Sequence, residues 1–350
     1  MGGSRRLAYL GFSGRGNMGD ELLAQVFTEH LAPQRLVVYP RDRSEVPSYL
    51  RAVLAGGRPQ LLLGGGTFIG SAYWRQLLVQ ARRWTRPGPA LLLGAGVMGA
   101  EPGQADRDRS LAELRAWRPL LEQFEEVTVR GPRSAALLEA VGVAARVVGD
   151  PGLLVERPLE RTPEPKTLGV NLGFGGALRG GDQPRVVREL IDALRILHRR
   201  AEGWRFHLIG ANAQDLPSLE LAEELARAAD LEVEVALCPR PADCAGAIAR
   251  CSLFIGQRLH TVVVASALAI PSVMLSYSLK GDDFMDSIGR GAWSVATDAA
   301  TGPEMAELLV ELDASRASQV LELTTTVGEL QGRLRGAFEQ LRQRQAAALR

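Results

Sequence analysis

Leu253-Phe254-Ile255-Gly256-Gln257-Arg258-Leu259-His260, running on through Thr261–Ala269 to Tyr277 and Lys280, carries the reading of the fold. Leu253–Ile255 is a short apolar strand, and Gly256 permits a sharp turn. Leu259–Leu268 is a helix of small and apolar residues with so little polar surface that it reads as buried. Pro271 ends it, and Ser272–Tyr277 forms the next strand. Arg258 and His260 therefore stand where a strand hands over to a helix, where free N–H groups and the helix dipole favour an anion. Lys280 follows the neighbouring strand and, in a parallel sheet, lies beside them. Alone, a strand-end arginine is a surface charge and a histidine a structural residue. Arginine, histidine and lysine at two adjacent strand ends suit a carboxylate or phosphate, with one group able to move a proton. Open α/β sheets bind ligands at that edge.

Upstream of this element a second α/β set begins at Leu168–Leu172, which ends in Gly173, Gly175 and Gly176. Helix Val186–Arg200, strand Phe206–Ile209, helix Leu219–Ala229 and strand Val233–Leu237 follow. Before it, Pro158, Pro163 and Pro165 among charges mark a linker over 158–166. Downstream, the chain is helical from Thr301, with a long final helix over 313–350. The expected organisation is thus an α/β domain over 1–157, the linker, a second α/β domain over 167–312, and a helical segment that can brace the two.

The first domain repeats one pattern, an apolar strand followed by glycine. Leu7–Gly11 leads into Gly14-Arg15-Gly16-Asn17-Met18-Gly19-Asp20-Glu21, and Leu61–Leu63 into Gly64-Gly65-Gly66-Thr67. Leu91–Leu93 leads into Gly94-Ala95-Gly96, Val127–Val129 into Arg130-Gly131, and Ala145–Val148 into Gly149-Asp150-Pro151. Apolar strands alternating with helices (Ala72–Trp84, Ser110–Phe124, Ser134–Val141) mean a parallel, doubly wound sheet. Glycines after its strands let backbone approach a ligand, or merely close turns. Gly14, Gly16 and Gly19 satisfy the dinucleotide pattern. Asp20 and Glu21 at the helix start would repel a pyrophosphate, however, and no acid is well placed after the second strand. Helix Tyr73-Trp74-Arg75 to Arg82-Arg83-Trp84 mixes aromatics with arginines. That composition suits a membrane surface or a lipid-linked substrate, and equally an ordinary packed helix with snorkelling arginines.

Hydrophobic residues at 46% and charged residues at 23% of 350 describe a globular chain, and a net charge of +1 implies no nucleic-acid partner. The first strand follows Met1–Arg6 directly, so no signal peptide is expected; Thr261–Leu275 is too short to span a bilayer. Cys238, Cys244 and Cys251 lack paired spacing, which argues against a disulfide framework or zinc site and for a cytoplasmic location. No metal cluster is visible.

Taken together, the motifs resemble the polysaccharide pyruvyltransferase family, with the CsaB type, which modifies cell-wall polysaccharide in bacteria with S-layers, the most similar subgroup. Gly14–Glu21 resembles its amino-terminal glycine loop, and Leu63–Thr67 its second. Val129-Arg130-Gly131-Pro132-Arg133-Ser134 with Gly149-Asp150-Pro151 is similar to its Val-Arg-Asp-x-x-Ser and Asp-Pro elements. Gly256–His260 and Tyr277-Ser278-Leu279-Lys280 resemble its Arg-Leu-His and Ser-Tyr-x-x-Lys signatures. Gly131 stands where that family carries Asp, and Ser278-Leu279 replaces an Asp-Pro. The resemblance implies a GT-B-like fold of two Rossmann-like domains facing a cleft. It implies no cofactor: phosphoenolpyruvate is the co-substrate and donor, and a glycan or lipid-linked saccharide with two free hydroxyls the acceptor. Peripheral contact at the inner membrane face is the expectation that the Tyr73–Trp84 composition adds. The expected donor residues are Arg258, Lys280, Arg130 and the backbone at Gly256. His260 is the expected proton shuttle, and Asp20 or Glu21 is either a proton acceptor for the sugar or a helix cap. Gly14, Gly16, Asn17, Gly65, Gly66, Thr67 and Gly96 are the expected substrate-lining loops. The readings from other classes are a glycosyltransferase using a nucleotide sugar, an NAD-dependent enzyme, and a non-catalytic anion sensor.

Overall fold

The computed structural model describes residues 6–99, 106–158, 163–173 and 182–347, with side chains through 344. Gly175, Gly176 and part of the expected linker lie outside the described residues. The chain divides into two compact units. One comprises 1–13, 23–151 and 330–350; the other comprises 14–22 and 152–329. The change of unit at Pro151 comes before the proline-rich stretch.

Unit one contains β1 (Arg6–Leu10), most of α1 (Met18–His30), β2 (Arg35–Val38), α2 (Val46–Gly56), β3 (Gln60–Leu63), β4 (Gly66–Ile69) and α3 (Ala72–Trp84). β5 (Leu91–Leu92), β6 (Ala95–Val97), α4 (Arg107–Leu121), β7 (Thr128–Val129), α5 (Pro132–Glu139) and β8 (Arg146–Val147) complete it. All pairings are parallel, but they form two four-stranded sheets, β2-β1-β3-β5 and β4-β6-β7-β8. This corrects the expectation of a single sheet with glycine loops. Gly66, Thr67 and Gly96 are strand residues, and only Gly65 lies between strands. Gly66 and Gly94 have φ of 136° and 62°, which break each apolar run into two strands. The core of this unit packs Phe68, Trp74, Leu78, Leu114 and Trp117 under the sheets. Trp74 meets Phe68 at 4.4 Å and Phe12 at 4.6 Å between ring centres.

Unit two contains β9 (Thr167–Asn171), α6 (Gln183–Arg200), β10 (Arg205–Gly210), α7 (Leu216–Arg227), β11 (Val233–Leu237), α8 (Pro241–Ala249), β12 (Leu253–Gly256) and α9 (Leu259–Ala267). β13 (Ser272–Ser276), α10 (Leu279–Ser287), β14 (Ser294–Ala296) and α11 (Gly302–Ala314) follow. α12 (Arg316–Ala347) is shared, its residues to 329 grouping with unit two and the rest with unit one. The six strands run parallel in the order β11-β10-β9-β12-β13-β14. Numbered within the unit this is 3-2-1-4-5-6, the dinucleotide-fold order, with its reversal between β9 and β12. α6 forms because Asp182 caps it, accepting from Arg185 N at 3.0 Å, and because Val187, Leu190, Leu194 and Leu197 recur at helical spacing on its buried side. α9 is buried along almost its whole length, as its composition requires.

Candidate functional site

The reversal of strand order leaves a crevice beyond the carboxyl ends of β9 and β12, where connecting helices leave in opposite directions. The decisive stretch delivers its side chains there. Arg258 is the N-cap of α9, and His260 is the second residue of that helix. Lys280 holds the same second position in α10, after the neighbouring strand β13. The structure therefore brings Arg258, His260 and Lys280 to adjacent strand ends. Gly256 is the last residue of β12, with no left-handed φ. Its need for glycine is packing, not a turn: a Cβ would strike Phe254, Val262 and Thr261.

Arg258 is held by residues that sequence reasoning missed. Asn171, buried at the end of β9, accepts the Arg258 N–H at 2.8 Å and the Thr261 hydroxyl at 3.2 Å, and donates to Ile209 O at 2.7 Å. Asp215, fully buried after β10, accepts both Arg258 Nε (2.9 Å) and Nη2 (2.5 Å) on one oxygen. Its other oxygen accepts Ala211 N at 2.9 Å and Asn212 N at 3.1 Å. Arg258 itself keeps 14% of its side chain exposed, so the guanidinium is anchored on its Nε edge and open on its Nη1 side. Because β9 lies between β12 and β10, Arg258 has to cross the end of β9. Gly173 lets it pass, since a Cβ there would lie 2.7 Å from Arg258 Cγ. The neighbouring Gln257 is sealed: it exchanges hydrogen bonds with Gln183 and accepts Gly173 N at 3.0 Å. The signal that could have found Asp215 is Asn212-x-x-Asp215, a capping box after β10. Lys280 Nζ sits 4.7 Å from the Tyr277 ring centre, a cation–π contact that limits its wandering.

The segment Gly14–Leu22 groups with this unit. Met18 N donates to Ala211 O at 3.1 Å, and Gly19 packs so close to His260 that a Cβ would collide with the imidazole. Gly14 and Gly16 turn the loop with φ of 74° and 69°, a left-handed conformation costly for other residues. The helix cap is Asn17, whose Oδ1 accepts Gly19 N at 3.1 Å and whose carbonyl accepts from Asp20 and Glu21. Glu21 accepts the Arg15 N–H at 3.0 Å, which braces the loop.

Arg130, Thr67 and Gly96 also meet, inside unit one. Thr67 and Gly96 are register partners on β4 and β6, and Arg130 follows β7. Arg130 is 1% exposed and forms a 2.5 Å ion pair with fully buried Asp150; its Nη1 lies 3.4 Å from Thr67 Oγ1. An arginine expected to face a ligand is thus enclosed beside a carboxylate. Gly65 packs under Leu23 and Pro151. Among the described residues no group of three or more His, Cys, Asp or Glu is placed to hold a metal ion.

Solved structures share this architecture. HepE from Anabaena, determined with UDP and glucose, superposes at a TM-score of 0.56 with 14% identity over 99% of both chains. The UDP-GlcNAc 2-epimerase of Neisseria meningitidis, bound to UDP-GlcNAc, gives 0.57 with 8% identity over 96% of this chain and 98% of its own. S. aureus MnaA with UDP gives 0.54 with 11% identity, covering 91% and 90%. These likenesses establish the α/β fold of the GT-B glycosyltransferases and epimerases. No curated protein sequence matches significantly. The sequence model of polysaccharide pyruvyl transferases matches residues 17–278, from the Asn17 cap to the end of the β13 turn. With Asn17–Glu21, Arg258 and His260 all inside the matched region, the chain belongs to the polysaccharide pyruvyl transferase family.

Proposed function

We propose that this transferase moves the pyruvyl group of phosphoenolpyruvate onto a sugar of a cell-wall or surface polysaccharide, or of its lipid-linked precursor, in the manner of the CsaB type. The product is a cyclic pyruvate ketal, with phosphate released. The observation that carries the reading is the cation set at the strand-order reversal: Arg258 open on one side, with His260 and Lys280 at matching helix starts. Phosphoenolpyruvate is a compact polyanion, and two helix N-termini with arginine and lysine suit its carboxylate and phosphate. Arg258, fixed by Asp215, presents its Nη1 side to one anionic group, and Lys280 meets the other. His260 serves the proton balance, since an imidazole both gives and takes protons near neutrality. One acceptor hydroxyl attacks C2 of the donor while C3 gains a proton. The second hydroxyl then closes the ring as the C–O bond to phosphate breaks. One hydroxyl proton is thus balanced at C3, and the other leaves with phosphate. Asp20 or Glu21, on the loop packed against His260, accepts a proton from the sugar. Arg130 acts from inside unit one, ordering the ends of β4 and β7. The reaction takes place in the cytoplasm.

The test is thermal stabilisation by phosphoenolpyruvate, set against UDP, UDP-sugars and NAD, on wild type and Arg258→Ala. Ligands that bind the folded state raise its apparent stability by mass action. A shift with phosphoenolpyruvate that Arg258→Ala abolishes is the expected result. A shift with UDP compounds alone replaces pyruvyl transfer by glycosyl transfer, and a shift with NAD alone by redox chemistry. Donor binding without phosphate release in the presence of acceptor glycans identifies an anion sensor.

A further inference from the structure

From Val46 to Ala100 the sequence contains no aspartate or glutamate and six arginines: Arg51, Arg58, Arg75, Arg82, Arg83 and Arg86. Two of these are engaged within unit one. Arg75 pairs with Glu113 at 2.6 Å, and Arg82 donates to the carbonyls of Gly88 and Gln123. Arg51, Arg58, Arg83 and Arg86 are exposed and form no ion pair among the described residues.

The fold gathers most of these charges at one place. In the order β2-β1-β3-β5, the connections through α2 and α3 both travel in the same direction, so right-handed crossovers put both helices on one face of the sheet. Both helices run antiparallel to the strands and end at the strands' amino-terminal edge. There Arg86 N donates to Pro59 O at 2.9 Å and Gln60 Nε2 to Pro89 O at 3.1 Å, which brings Arg58 beside Arg86. Leu54, in the last turn of α2, is 86% exposed, and Trp84, the last residue of α3, is 50% exposed. The remaining tryptophans, Trp74, Trp117, Trp204 and Trp293, are all buried. On the adjoining connection, Glu122, Glu125 and Glu126 are each paired with an arginine, so they leave the cation excess in place.

We infer that this edge of unit one docks on the surface of an anionic phospholipid bilayer. An exposed indole and leucine at the same sheet edge as unpaired arginines match the chemistry of a bilayer interface, where aromatic and apolar groups enter the headgroup region and cations meet lipid phosphates. The charge complementarity is local: the whole chain carries only +1. Among the described residues no helix is long and apolar enough to cross a membrane, so the contact is peripheral. The inference stands apart from the donor chemistry, because none of these residues belongs to the candidate site.

Trp84 is a built-in probe. The full chain is titrated with phosphatidylcholine vesicles, with and without phosphatidylglycerol, while tryptophan emission is followed; polyuridylate RNA is the competitor. Emission is expected to move to the blue with phosphatidylglycerol vesicles only, to be quenched by brominated acyl chains, and to lose its response in Trp84→Phe. Combined Arg58→Ala, Arg83→Ala and Arg86→Ala should lower partitioning roughly a hundredfold, about fivefold per cation, with an unchanged melting temperature. Unchanged emission with both vesicle types overturns the inference, as does equal binding to both. Tight RNA binding without vesicle binding replaces it with a nucleic-acid surface. A concentration-dependent dimer that shields Trp84 replaces it with self-association.

Discussion

Among the described residues, two largely buried arginine–aspartate pairs sit at strand ends, one in each unit, and they differ in one respect. Arg130 and Asp150 follow the adjacent strands β7 and β8, and both are sealed from solvent. Arg258 and Asp215 follow β12 and β10, with β9 between them, and Arg258 remains partly open. Neighbouring strand ends let a pair close on itself. A pair that reaches across a third strand needs a glycine to cross and leaves one edge of the guanidinium facing out. A buried pair is weak evidence for function, because breaking it costs stability while its charges cancel. A pair anchored on one edge presents a fixed cation, which is what recognition of a carboxylate or phosphate asks for.

The largest effect that sharpens this contrast is at the open pair. His260→Ala, beside Arg258, should lower transfer about a hundred- to ten-thousand-fold with the melting temperature retained. Steady-state turnover and calorimetry read both, and normal turnover removes His260 from the chemistry. At the closed pair the loss should fall on stability. Arg130→Ala removes one partner of a buried ion pair, at a cost of about 3–5 kcal/mol in denaturant unfolding. A stable Arg130→Ala protein with weakened phosphoenolpyruvate binding would erase the distinction between the pairs. Asp215→Asn should raise the donor KM roughly tenfold with a smaller change in kcat, since a charged hydrogen bond that positions Arg258 is weakened. Equal losses in unfolding free energy for Asp215→Asn and Asp150→Asn would make the open pair structural as well. Gly173→Ala should raise the donor KM severalfold through displacement of Arg258, whose aliphatic stem lies in the way.

The smallest effect lies away from both pairs. Burial holds the His207 imidazole below its ordinary range, against the pull of Glu234. The unfolded chain therefore takes up a proton at higher pH than the folded one. Stability is intact above about pH 6.5, the unfolded value, and falls as pH drops toward the lower folded value. His207→Gln should flatten that slope, as read by melting temperature from pH 7.5 to 5. An unchanged slope would show that His207 does not titrate in this window.

Much of this was readable in the sequence, for identifiable reasons. Strand and helix types follow from short-range apolar patterning, and Leu253–Tyr277 announced a strand–helix–strand unit with its cations at the strand ends, though not the helix that begins at Leu279. The family motifs are short and contiguous, so they too survive in one dimension. The tertiary structure alone decided which cations are available. Arg130 and Arg258 look alike in sequence, and their fates depend on Asp150 and Asp215, residues 20 and 43 positions away that meet them only through strand order. The split of unit one into two sheets was hidden because Gly66 and Gly94 interrupt apolar runs by backbone conformation, which composition does not show. The basic edge around Trp84 likewise exists only because two crossovers of one hand bring Leu54, Arg58, Arg83 and Arg86 to the same end of a sheet. Local propensity acts over a few residues, whereas pairing and enclosure depend on contacts between residues far apart in the chain.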